Sequence, residues 1–109
     1  MNTSQITFLY FDHLPQAKDF FEEVLQLEKV YDPEWAVVYR TTGKAFIGAV
    51  DASRGSIPVH HKGGVLISIT VDNIESIESV GLKSFFFKGP EGYEFEIQQF
   101  VIGELIELF

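Results

Sequence analysis

The sequence predicts an α+β fold in which one strand–helix–strand unit is used twice, the second time in shortened form. Three observations carry this reading. Of the 109 residues, 46% are hydrophobic, which suits a single domain with a substantial core. The order strand, helix, strands occurs once before residue 51 and again after residue 64. Between the two lies Asp51 to Gly64 (DASRGSIPVHHKGG), polar and turn-rich, with the composition of a linker. The halves share no evident sequence identity, so the repeat rests on element order.

The elements follow from local chemistry. Gln5 to Phe11 (QITFLYF) is β-branched and aromatic and reads as a strand. Pro15 suits the first turn of a helix, where its missing N–H is no loss. Ala17, Phe20, Phe21, Val24 and Leu25 then recur at helical spacing opposite Lys18, Asp19, Glu22 and Glu23. That pattern predicts an amphipathic helix over Pro15 to Leu27. Glu34 to Thr41 alternates as a strand, with Trp35, Val37 and Tyr39 on one side and Ala36, Val38 and Arg40 on the other. Thr42-Gly43 turns the chain into a return strand, Lys44 to Val50.

The second half opens with Val65 to Val71 (VLISITV), a strand with Val65, Ile67, Ile69 and Val71 on one face and Leu66, Ser68 and Thr70 on the other. Asp72 and Glu75 have the spacing of a helix start, and a short helix ends near Val80-Gly81. Lys83 to Lys88 and Tyr93 to Phe100 are strands joined by the turn Gly89-Pro90-Glu91-Gly92. Alternation in the last strand groups Glu94, Glu96 and Gln98. Val101 to Phe109 alternates poorly and fits a short helix or an edge strand.

Composition excludes several classes of function. Sixteen acidic residues against eight Lys and Arg give a charge of −8, which disfavours nucleic acid and anionic membrane as partners. The absence of cysteine removes disulfides, thiolate catalysis and cysteine-ligated zinc. No apolar run is long enough to span a bilayer, and Met1 to Gln5 lacks a basic leader, so a cytoplasmic protein is expected. No phosphate loop, GxSxG or HExxH pattern occurs.

Three segments in this order resemble the vicinal oxygen chelate superfamily, which includes glyoxalases, bleomycin resistance proteins and extradiol dioxygenases. Residues 6–28 (ITFLYFDHLPQAKDFFEEVLQLE) are similar to its first strand and the helix ending in an FY..VLGL pattern. Residues 66–76 (LISITVDNIES) resemble the opening of its second module, and residues 85–97 (FFFKGPEGYEFEI) its DPDGN..E turn. The resemblance implies two βαβββ modules forming an open, curled mixed-sheet cup, with the second module truncated. Module one would span about 1–51, the linker about 52–63 and module two about 64–109. It also implies a homodimer, for which an exposed sheet edge gives a physical reason.

Metal-dependent members hold a divalent ion at four cup positions. The resemblance places Ile6, Gly48, Leu66 and Glu96 there, and only Glu96 can ligate, so no metal or other cofactor is expected. His60 and His61 lie in the linker and His13 at a strand–helix junction, where a solvated role outweighs replacement of a lost ligand. The implied cup is lined by Ile6, Phe8, Tyr10, Phe46, Val50 and Leu66, with Ser68, Thr70 and Gln98 as polar contacts. Trp35, Tyr39 and Arg40 flank it, and Arg40 could pair with an anionic group. Such a lining suits a small apolar or aromatic ligand. Three functions stay open: a metal-free small-molecule-binding protein of the glyoxalase/bleomycin-resistance type; a metal-dependent lyase or dioxygenase-type enzyme, similar to lactoylglutathione lyase, with Glu96 as base or ligand; and a degenerate, non-catalytic dimeric interaction module.

Overall fold

The apolar run at the start of the chain forms strand β1 (Gln5–Phe11) over its whole length. The structure, a computed structural model, describes residues 1–73, 82–100 and 102–109. It divides into two units, Met1–Lys62 and Gly63–Phe109.

In the first unit, β1 leads into helix α1 (Leu14–Asp19), with Pro15 in its first turn and Leu14 and Ala17 buried. The helix continues as a π-helical turn, Phe20–Val24, in which the Leu25 N–H donates to the Phe20 carbonyl at 3.0 Å. The predicted helix to Leu27 therefore ends early. Gln26 adopts a left-handed φ of 55°, which turns the chain out of the helix. The wider turn delivers Phe21 into the core, edge-on to Phe11 at 6.1 Å and stacked on Tyr39 at 5.3 Å. Burying a ring of this size contributes roughly 2–3 kcal/mol.

Strand β2 (Glu28–Tyr31) was not legible in the sequence. It is a short edge strand, exposed throughout, and its Glu28-Lys29 start gives no apolar alternation. Strands β3 (Ala36–Thr42) and β4 (Ala45–Asp51) form the predicted hairpin, each displaced slightly from its expected ends. Gly43 takes the positive φ that the turn needs. The four-stranded sheet has the order β1-β4-β3-β2, with β1 parallel to β4 and the other pairs antiparallel.

Residues 52–62 fold back on the end of β1 as a strap. The Ala52 N–H donates to the Phe11 carbonyl at 2.8 Å, the Ser56 N–H to the Tyr10 hydroxyl at 3.1 Å, and Lys62 pairs with Asp12 at 3.2 Å.

The second unit holds strands β5 (Leu66–Thr70), β6 (Leu82–Lys88) and β7 (Glu94–Phe100) in the order β5-β7-β6, with β5 parallel and β6 antiparallel to β7. A single 3-10 turn, Pro90–Gly92, joins β6 to β7. One face carries a ladder of rings, Phe85, Phe87 and Phe95, with neighbouring centroids 5.8 and 5.6 Å apart. The tail resolves as helix α2 (Gly103–Leu108), and Phe109 beyond it stacks on Phe100 at 5.0 Å. The helix expected after Asp72 falls on residues 74–81, outside the described residues. Both sheets are open, and none of the described helices is long and apolar enough to cross a membrane.

Candidate functional site

In the first sheet, α1 packs against the face bearing Leu9, Phe11, Val37, Tyr39, Ile47 and Ala49, all buried. The opposite face is built in rows by the strand register. Ile6, Phe46, Arg40 and Glu28 form one row, Phe8, Gly48 and Val38 the next, and Tyr10, Val50 and Ala36 the third. Ile6 and Phe8 remain 42% and 45% exposed. The Arg40 guanidinium lies over the Phe46 ring at 5.1 Å, donates through Nε to Glu28 at 3.1 Å, and through Nη1 to the Gly43 carbonyl.

Two close approaches shape this face. A Cβ built on Gly48 would stand 2.3 Å from Cδ1 of Phe8, so the Phe8 ring occupies the space above that glycine. A Cβ on Gly55 would stand 2.2 Å from Cε2 of Tyr10, so the strap covers the Tyr10 ring. Among the predicted lining residues, Phe8, Tyr10, Arg40 and Phe46 thus share one face. Trp35 precedes β3, its carbonyl accepting from the Asp51 N–H at 2.9 Å, and its side chain is partly exposed. Tyr39 lies on the helix side, fully buried, with its hydroxyl donating to Glu22 at 2.7 Å. Burial first, and then the Glu22 bond and charge, hold its phenol well above the ordinary tyrosine range.

In the second sheet, register brings Leu66 beside Glu94, Ser68 beside Glu96, and Thr70 beside Gln98. Phe86 lies across from Glu96 on the other side. The Ser68 hydroxyl donates to Glu96 Oε1 at 2.8 Å, and Gln98 Nε2 to Thr70 Oγ1 at 3.5 Å. Glu96 is only 8% exposed, although Leu66 and Phe86 beside it are open to solvent. At the end of β5 and β7, a cavity of about 480 Å³ is lined by Thr70, Asp72, Gln99, Phe100, Ile106 and Phe109. Sequence reasoning missed it because the tail's pattern did not fix its secondary structure.

The four positions implied for a divalent ion can be judged on donor chemistry. Ile6 and Leu66 offer no donor atom. Gly48 offers none either, and the Phe8 ring fills the space a side chain there would enter. Glu96 supplies one carboxylate, already engaged by Ser68. The residues present do not fit a divalent ion at these positions. Among the described residues, no three His, Asp or Glu side chains gather as a ligand set. His13, His60 and His61 are exposed, the first at the start of α1 and the others in the strap.

No family model matches the sequence, and no curated protein matches it. Solved structures do. A lactoylglutathione lyase from Agrobacterium tumefaciens superposes with a TM-score of 0.68 at 22% identity, covering 96% of each chain. A glyoxalase/bleomycin resistance protein/dioxygenase from Nocardioides gives 0.70 at 14% identity over 94% of this chain and 86% of that one. A glyoxalase-related enzyme from Fulvimarina pelagi gives 0.73 at 11% identity over 91% and 88%. The chain has the fold of these structures, in line with the resemblance to the vicinal oxygen chelate superfamily, and at such identities the likeness is one of fold.

Proposed function

We propose that this chain, built on the glyoxalase/bleomycin-resistance fold, is a small-molecule-binding protein that works without a metal centre. The observation that carries the reading is the open aromatic face of the first sheet. Ile6, Phe8 and Phe46 present apolar surface, and Arg40 places one guanidinium at its rim. Few polar groups on a largely apolar surface are what a small amphipathic aromatic ligand requires. The unsuitable donor set supports binding over metal-assisted chemistry. We further propose a cytoplasmic homodimer, a reading supported by the charge of −8 and the exposed edge strand β2.

The test is a fluorescence titration with 1-anilinonaphthalene-8-sulfonate, an aromatic anion, paired with native mass spectrometry. A saturable 1:1 complex on a metal-free protein is expected. Phe46→Ala should weaken it at least fivefold, and Leu66→Trp reports whether the second sheet's Leu66 face takes part. Unchanged affinity in both variants would remove these faces as the site.

One observation favours a second reading. Glu96 is a buried carboxylate held by Ser68 among exposed apolar side chains, an arrangement suited to a general base. An enzyme of this kind would turn over a substrate such as lactoylglutathione and lose that activity in Glu96→Gln. Turnover that survives the substitution would exclude Glu96 as the base.

A further inference from the structure

Gly48 lies in the middle of β4, paired on one side with Phe8 and on the other with Val38. Its φ is not positive, so the backbone does not require glycine there. A glycine inside a central strand weakens the sheet and marks a place where another group approaches closely. Here that group is the Phe8 ring, which lies over Gly48 with two ring atoms within 2.5 Å of where a Cβ would stand. The ring is nonetheless 45% exposed, so it is held from below and left uncovered above.

We infer that the space above Gly48 is a slot for the flat ring of the ligand, and that Phe8 is a stopper filling it when the slot is empty. This inference rests on the binding reading proposed above. The flanking rows define what the slot would accept. In the next row, about 7 Å along the strand, Arg40 lies over Phe46; its Nε and Nη1 donate to Glu28 and the Gly43 carbonyl, and the other guanidinium N–H groups can meet an anionic substituent. In the other direction, Tyr10 is fixed beneath Gly55 and closes the row. The ligand class is therefore a planar aromatic anion of one or two fused rings. Binding it requires Phe8 to swing outward, so the stoppered state lowers the apparent affinity by the fraction of time the slot is filled.

The stopper has an opposite sign from an ordinary contact residue. If Phe8 were simply part of the wall, Phe8→Ala would weaken binding. As a stopper, its removal strengthens binding, by roughly three- to tenfold if the slot is closed most of the time. The experiment titrates 1-anilinonaphthalene-8-sulfonate into the full chain as wild type, Phe8→Ala, Phe8→Leu and the double variant Phe8→Ala/Gly48→Ala. Near-ultraviolet circular dichroism monitors the fold of each. Tighter binding in Phe8→Ala, a smaller gain in Phe8→Leu, and loss of the gain in the double variant are expected, because the new methyl stands on the slot floor. Should Phe8→Ala fail to fold, the Phe8→Leu comparison decides the sign. Saturable wild-type binding that Phe8→Ala or Phe8→Leu leaves equal or weaker would overturn the stopper and leave the binding reading standing. Absence of saturable binding in every variant would overturn both.

Discussion

Replacing Tyr39 with Phe removes one oxygen from the interior of the first unit and keeps the ring that stacks on Phe21. The lost group donates a 2.7 Å hydrogen bond to Glu22. A bond to a charged acceptor is worth about 1.5–3 kcal/mol, but Glu22 is partly exposed and keeps Lys29 at 3.6 Å, so water and the ammonium recover part of it. The expected cost is about 1–2 kcal/mol at pH 8. With a urea dependence near the lower end of the usual range, that lowers the unfolding midpoint by roughly 1 M. Trp35, the single tryptophan, lies in the first unit and reports the transition by fluorescence. The same substitution carries an alkaline signature. In the folded state the Tyr39 phenol is held well above the ordinary range, by burial before the Glu22 bond, whereas in the unfolded chain it ionises near pH 10. Its stabilising contribution is complete below pH 10 and falls by about 1.4 kcal/mol for each pH unit above it. The gap between wild type and Tyr39→Phe should therefore close near pH 11, while Tyr10, Tyr31 and Tyr93 affect both proteins alike. A gap below about 0.5 kcal/mol at pH 8, or one unchanged between pH 8 and 11, would refute the reasoning.

Two further substitutions test the strap. Gly55→Ala places a methyl 2.2 Å from the Tyr10 ring, which must move and release the Ser56 N–H, at a cost of about 1–2 kcal/mol. Faster hydrogen exchange at the Ser56 amide is the readout, and unchanged protection there contradicts the packing described. Asp51 accepts from the Ser53 hydroxyl at 2.7 Å and from its N–H at 3.0 Å, and these two bonds, in that order, hold its carboxyl below the usual range. A depressed folded-state value stabilises above the unfolded value, about pH 4, and that stability is lost as pH falls through the folded value. Asp51→Asn should thus be less stable than wild type at pH 6, with the difference shrinking at pH 3. A difference that stays constant between these pH values would show that the carboxylate's charge contributes nothing there.

Much of the fold was legible because its signals are local. The β-branched and aromatic stretch at Gln5–Phe11, the proline at the start of α1 and the turn glycines of the hairpin each act within a few residues. Period-two alternation put Glu94, Glu96 and Gln98 on one face of their strand and Leu66, Ser68 and Thr70 on one face of theirs, and the register sets the two groups side by side. What escaped depends on distant partners. Alternation separates Tyr39 from Arg40 but does not say which side α1 covers, and Tyr39 lies beneath it. Nothing near Tyr10 announces that Gly55 will fold over it from the strap. The edge strand β2 is charged where buried strands are apolar, so it carries the residues that keep an edge soluble rather than those that signal a strand.

The pairing of Phe8 with Gly48 also dictates the order in which this face can be changed. Any side chain introduced at position 48, a metal-binding histidine included, meets the Phe8 ring before it meets anything else. Position 8 must shrink, or its ring must swing outward, before position 48 tolerates a new group. A donor at position 48 is therefore two linked steps away rather than one, with Ile6 and Leu66 still to be replaced before a donor set exists, and the change at position 8 alone enlarges the slot. Libraries built on this scaffold should vary residues 8 and 48 together, since single replacements at 48 sample a surface that Phe8 already occupies.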